Sequence, residues 1–216
     1  EFSFSRLSGQ FQPLQLPADE AVDDTIALPS TDRIGDPLGL GTLVHAVLEA
    51  VDFASPPGQS QLHAMVEKLA ADHLDLSDEA GGLAQAAEAE EILARFLASP
   101  QAEELAAATQ VEQEIEFLLA WPPDNAKGQA TRYFRGFIDC LYFSPQQGWQ
   151  LLDYKTNRVT AKTVASVAAK YEVQMLVYSI AAAKVLGEMP RAARLHFLRP
   201  CLDHCFTFDA DRQARL

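Results

Sequence analysis

Two short stretches hold residues able to do chemistry together: Arg135-Gly136-Phe137-Ile138-Asp139 and Leu151-Leu152-Asp153-Tyr154-Lys155. Each reads as a strand, and Ser144-Pro145-Gln146-Gln147-Gly148 between them reads as the turn of a hairpin. Asp153 and Lys155 are two residues apart, so both point to one strand face, with Leu151 one step behind on that face. Asp139, from the adjacent strand, brings a second carboxylate toward them. Facing carboxylates repel unless a cation lies between them, and an oxygen-rich site suits Mg²⁺ or Mn²⁺. A lysine beside that ion can hold or help deprotonate a water and stabilise charge on a pentavalent phosphate. On spacing alone, a cross-strand Asp–Lys pair on a wet face accounts for the same residues. Placed at a strand end on a polar face, Lys155 is expected to be replaceable by Ala within ~0.5 kcal/mol.

Other residues enter by position. His45 lies in the apolar stripe Leu43, Val44, Val47, Leu48, Val51, which turns it inward to where the hairpin packs and where its nitrogen could serve the same cation. A helix histidine of this kind is equally compatible with a plain core or surface role. Glu112, Glu114 and Glu116 share one face of a strand before the hairpin, a solvated face for at least two of them. Gln174 and Tyr178, at i,i+4 with Lys170 a turn earlier, form a row that touches phosphate or a base, or is the polar edge of an amphipathic helix. Cys201-Leu202-Asp203-His204-Cys205 has no second ligand pair, so neither zinc nor an iron–sulfur cluster is expected. No Walker loop or dinucleotide fingerprint occurs, and no nucleotide site is expected in this chain.

The elements that position these residues follow from periodicity. Residues 1–40 carry Pro13, Pro17, Pro29 and Pro37 without a sustained period and read as an irregular linker or strap. Helices are expected from Gly41 to Ser55, over 60–75, 79–98 and 100–108. The period then changes to two over 111–121, 132–143 and 149–154. One long helix is expected over 161–186, ending at Gly187, and short strands over 194–198 and 205–208. The order predicts an α/β (α+β) fold, a mixed central sheet flanked by helices, with a helical part at 41–110 and a sheet core at 111–216. The 216 residues suffice for a buried core, no apolar run approaches ~20 residues, and three cysteines favour a reducing cytoplasm. Net charge is −13, divided as −19 over residues 1–125 and +6 over 126–216. Either a polyanion meets the second half, around Arg132, Arg135, Arg158, Lys162 and Lys170, or the division is that of a solvated acidic helical region beside an ordinary surface.

Taken in order, five segments carry a family resemblance: Gly41-Thr42-Leu43-Val44-His45-Ala46-Val47-Leu48-Glu49, Gln113-Glu114-Ile115-Glu116-Phe117, Gly136-Phe137-Ile138-Asp139, Leu152-Asp153-Tyr154-Lys155-Thr156-Asn157-Arg158 and Gln174-Met175-Leu176-Val177-Tyr178. They resemble the PD-(D/E)XK nuclease superfamily, most closely the C-terminal nuclease domains of RecB- and AddA-type helicase–nucleases, over roughly residues 38–200. The resemblance implies a restriction-endonuclease-like core at 41–216. It implies Asp139, Asp153, Lys155 and Glu114 as catalytic residues. The implied Mg²⁺ ligands are His45, Asp139, Asp153 and the Tyr154 carbonyl, with Mn²⁺ able to substitute. Gln174 and Tyr178 would support the site and meet DNA, beside Arg158 and Lys162. Glu116 can be aligned in place of Glu114. The implied function is a metal-dependent DNA exonuclease acting on a single strand fed from a duplex end during recombinational repair. The partners would be a UvrD-like helicase motor in the same parent chain and an AddB- or RecC-like second subunit, with no membrane involved. The alternative is a catalytically silent module for DNA binding or subunit docking. The four-cysteine cluster of AddB is absent, and the start without Met after a Pro-rich lead fits an excised domain.

Overall fold

Gly39 starts the first helix for a steric reason. Its φ is 103°, and a Cβ there would lie 2.2 Å from the carbonyl oxygen of His73, so no other residue fits. Helix α1 (Leu40–Glu49) follows, and Leu40, Leu43, Val44, Val47 and Leu48 all lie buried along one stripe. The computed structural model describes residues 25–27, 39–74, 79–121 and 132–208. Helices α2 (Gln59–His73), α3 (Glu79–Leu97) and α4 (Pro100–Ala106) complete the helical part. The Ser99 hydroxyl accepts from the Ala102 N–H at 3.3 Å and Pro100 occupies the first turn, which fixes where α4 begins.

The sheet is built around its longest strand. Strands β2 (Gln110–Trp121), β3 (Arg132–Ser144) and β4 (Gly148–Lys155) form an antiparallel meander. A helical crossover returns the chain to β5 (Ala192–Phe197), parallel to β4, and β6 (Leu202–Phe206) pairs antiparallel with β5. The mixed α/β architecture expected from the element order is the one observed. Helices α1–α3 pack on one face with Cys140, Tyr142, Leu152 and Tyr154. Leu141, Leu151, Leu195 and Phe197 pack on the other with the crossover helix.

Two expectations change. A short strand, β1 (Thr25–Ala27), runs parallel to β3 beside Tyr133–Arg135, where an irregular strap was expected; the rest of residues 1–38 lies outside the described residues. The single helix expected over 161–186 is broken into α5 (Val164–Ala168), a 3₁₀ turn at Ala169–Tyr171 and α6 (Glu172–Leu186). The break turns Tyr171 inward, where its ring is buried and its hydroxyl donates to Asn157 Oδ1 at 3.0 Å. Helix periodicity was intact across the break because Tyr171 is apolar enough to continue the stripe. Among the described residues no helix is long and apolar enough to cross a membrane.

Candidate metal centre where two strands part

The β3–β4 ladder stops at Cys140 opposite Leu152. Beyond it the Tyr154 N–H finds no β3 carbonyl and donates instead to Asp139 Oδ2 at 2.7 Å. A carboxylate thus stands in for a backbone acceptor at the point where the strands separate. β4 itself does not fray, because its other edge stays paired to β5 as far as Lys155 opposite Phe197.

The parting coincides with a break in alternation. Ile138 and Leu141, three residues apart, both pack on the α6 side, while Cys140 faces α1. A period of two cannot do that without a local kink. β2 breaks in register with it. Gln113 Nε2 donates to Leu48 O of α1 at 2.5 Å, whereas Ile115 packs on the α6 side. Between them Glu114 takes φ 48°, a left-handed conformation that costs an L-residue roughly 1–2 kcal/mol. The expected row of Glu112, Glu114 and Glu116 is therefore split: Val111 and Gln113 face α1, which puts Glu112 on the other side, while Glu114 and Glu116 stay on the α1 side. Glu112 accepts from Gln110 Nε2 at 3.1 Å, and Glu116 is exposed and pairs with Arg135 at 2.6 Å.

The kink delivers Glu114 and Asp139 to His45. His45 Nδ1 lies 3.6 Å from Asp139 Oδ2 and 4.0 Å from Glu114 Oε1. Its ring meets the edge of the Tyr154 ring with centroids 6.1 Å apart. Ligand atoms of His45, Glu114 and Asp139 all fall within 4.8 Å of one another. Of the two glutamates that family resemblance leaves open, Glu114 is the one at this centre. Burial foremost, then the Asp153 charge, pushes the Asp139 carboxyl up to about 7, and His45 and Lys155 only partly offset this. A carboxyl so destabilised as an anion is relieved by a cation among its oxygens. One imidazole nitrogen and several carboxylate oxygens are a donor set that suits a hard divalent ion.

Asp153 lies outside that three-residue group. It is 1% exposed and its Oδ2 sits 2.5 Å from Lys155 Nζ, itself 3% exposed. Lys155 is thus a buried partner and not the replaceable polar-face residue that strand spacing suggested. Its ammonium also stands 5.1 Å from the centroid of the Tyr171 ring. Tyr171 went unnoticed in the sequence, since nothing in its spacing links it to Lys155. Gln174 and Tyr178 are both buried and bonded to each other at 2.8 Å, Gln174 Nε2 donating to the phenol oxygen. Burial first, and then the charges of Asp153 and Asp139, holds the Tyr178 hydroxyl well above its usual range. Tyr178 thus lies near enough to feel the charges of both carboxylates. Arg158 and Lys162 lie farther along the chain, both exposed, with Arg158 paired to Glu88 at 3.0 Å. The side chain of Arg132 lies outside the described residues.

The family model described as the PD-(D/E)XK nuclease superfamily matches residues 21–209. The chain is 30% identical over 156 residues to the A-type subunit of the ATP-dependent helicase/nuclease of Acetivibrio thermocellus, covering 68% of this chain and 12% of that protein. It is 40% identical over 124 residues to the protein of the same name from Heliobacterium modesticaldum, covering 55% of this chain and 8% of the relative. The Bacillus licheniformis counterpart is 28% identical over 166 residues, covering 71% and 13%. The chain thus spans about a tenth of the length of these curated relatives.

Proposed function

This chain belongs to the PD-(D/E)XK nuclease superfamily, and we propose that it is the metal-dependent DNA-cleaving domain of a helicase–nuclease that processes double-strand ends. The observation that carries the reading is the meeting of His45, Glu114 and Asp139 beside the buried Asp153–Lys155 pair. His45, Glu114 and Asp139 are the side chains that would hold a divalent cation, Mg²⁺ in the cell. Asp153 and the Tyr154 carbonyl are the further ligands implied by family resemblance. A cation bound there polarises a phosphodiester and lowers the pKa of an attacking water.

The chain's own residues supply the rest. Lys155 places a positive charge, held by Asp153 and the Tyr171 ring, where negative charge grows on the phosphorus oxygens, and its donors orient the water. Gln174 and Tyr178, bonded to each other, support the site from the side where Tyr178 feels the Asp153 charge. Glu114 and Asp139 both face His45, and a bound cation would balance the repulsion between their charges. The substrate is a single DNA strand delivered from a duplex end. The helicase motor belongs to the same parent chain, a second subunit of AddB or RecC type completes the assembly, and the protein works in the cytoplasm.

The test is cleavage of a 5′-labelled single-stranded oligonucleotide by the 216-residue chain in Mg²⁺ or Mn²⁺, without ATP. Metal-dependent cutting that is lost in Asp153→Asn supports the reading. A folded protein that binds the ion and leaves DNA intact in both metals would instead be the silent module. The presence of His45, Asp139, Asp153 and Lys155 together argues against that alternative.

A further inference from the structure

The β2–β3 ribbon continues past the metal centre, and its surface there is unusual for an exposed sheet face. Phe117, Leu119 and Ile138 pack toward α6, so their neighbours Glu116, Leu118, Phe137 and Arg135 occupy the opposite face. That face begins at Glu114 and Asp139 beneath His45. Phe137 pairs with Glu116 across the strands and Arg135 pairs with Leu118. Phe137 is 46% exposed and Leu118 is 40% exposed, two of the four large apolar side chains left exposed among the described residues. They flank the ion pair between Arg135 and Glu116, so the ring sits among charges already matched to each other.

We propose that Phe137 is a stacking platform for a base of the single strand, one nucleotide from the phosphate held at the His45–Glu114–Asp139 centre. The inference rests on the nuclease reading and goes beyond it by naming the residue that grips the strand next to the cut. Two strand positions separate Phe137 from Asp139, a distance of ~6.6–6.8 Å, which is within reach of the neighbouring nucleotide. An aromatic face accepts any base, whereas hydrogen-bonding groups would select among them, as suits a nuclease acting on whatever strand is delivered. The matched Arg135–Glu116 pair adds no net charge, so the ring draws the base by stacking and leaves the phosphates to the metal centre. Leu118 widens the apolar floor without offering a second π-face.

The experiment measures kcat and KM for metal-dependent cleavage of oligothymidylate by the wild-type chain and by Phe137→Tyr, Phe137→Leu and Phe137→Ala. A parallel set of substrates carries one abasic site scanned past the cut position. Stacking of this kind is worth roughly 5- to 150-fold in affinity, from about 1–3 kcal/mol per base at 1.4 kcal/mol per tenfold. Phe137→Tyr is expected to keep the wild-type KM. Phe137→Leu and Phe137→Ala raise KM by that factor with kcat little changed. One abasic position raises the wild-type KM by a similar factor and has no further effect in Phe137→Ala. Equal KM values for Phe137→Leu and Phe137→Tyr, or an abasic penalty that persists in Phe137→Ala, would overturn the proposal and point to a docking surface for protein. A wild-type chain that cleaves nothing overturns the nuclease reading itself, and this proposal with it. Cleavage with a silent Phe137 overturns this proposal alone.

Discussion

Lys155→Ala tests how the site is built. Lys155 and Asp153 are among the most buried charged residues described, and their charged atoms are 2.5 Å apart. At an effective dielectric near 20, two unit charges at that distance attract by ~7 kcal/mol. In the intact pair, desolvation of both ions offsets much of that attraction. Removing the ammonium leaves a carboxylate that is 1% exposed without its main cation, and losses of this kind run to about 3–5 kcal/mol. The expected destabilisation is therefore several-fold larger than the ~0.5 kcal/mol of a surface change. Sign is fixed by linkage. In the variant Asp153 is pushed above its unfolded value near 3.9, so the folded state prefers it protonated, and the loss grows as pH rises through and beyond 4. Urea unfolding at pH 5 and pH 7.5 reads both the size and the trend. Asp153→Asn together with Lys155→Met removes both charges and is expected to recover much of the loss. A Lys155→Ala loss below 1 kcal/mol that is flat with pH would refute the argument that burial makes this pair interdependent.

The remaining predictions concern the neighbouring acids. Asp139 titrates near 7 in the folded protein, so a cation must displace a proton below that pH. Mn²⁺ affinity measured by titration calorimetry is expected to rise by up to tenfold per unit between pH 5 and 7 and then level, with proton release visible in buffers of different ionisation enthalpy; affinity flat across that range would contradict it. Without metal, folded Asp139 holds its proton more tightly than the unfolded chain does, so stability falls as pH rises from about 4 to 7. Differential scanning calorimetry with and without Mn²⁺ should show that slope removed by the ion. Glu114→Gly relieves a left-handed residue and a repulsion at once, and is expected to raise metal-free stability by about 1 kcal/mol over Glu114→Gln, while both weaken Mn²⁺ binding. Equal stability of the two variants would mean that the conformation at 114 is not strained.

The hairpin and its acids were legible because strand period and turn chemistry are local signals. Asp139, Asp153 and Lys155 could be placed on adjacent strands from the Ser144–Gly148 turn alone, and the apolar stripe of α1 pointed His45 inward. Alternation misled where the strands kink. It assigned Glu112 to a row with Glu114 and Glu116, because a positive φ at Glu114 leaves no trace in residue type when the residue is not glycine. It also put Lys155 on a wet face. The depth of that face is set by Tyr171 and α6, some sixteen or more residues later in the chain, and by a 3₁₀ break that apolar periodicity does not register. β1 was missed for a similar reason, since three residues pairing with the distant Tyr133–Arg135 carry no periodic signal of their own.

Charge summed along the chain takes no account of pairing across the fold. The division into −19 and +6 assumed that each half shows its own charge to solvent. The helices instead lay their acids against arginines of the second half. Glu88 of α3 pairs with both Arg158 and Arg199, and Glu104 of α4 takes Arg194 at 3.0 Å. Arg199 donates in turn to the Thr156 carbonyl at 2.6 Å, next to Lys155, so an acid from the helical part helps anchor the end of the strand that carries the site. Arg135, the basic residue nearest the metal centre on its strand, is matched by Glu116. Two of the five basic residues expected to meet a polyanion, Arg135 and Arg158, are thus matched by acids. A strand would then be held close to the centre by the cation at the three-residue group and by apolar contact along β3. On the proposed nuclease reading, ion pairs of this kind keep the surface beside the centre from holding a strand that must pass it, because each matched arginine neutralises one phosphate fewer.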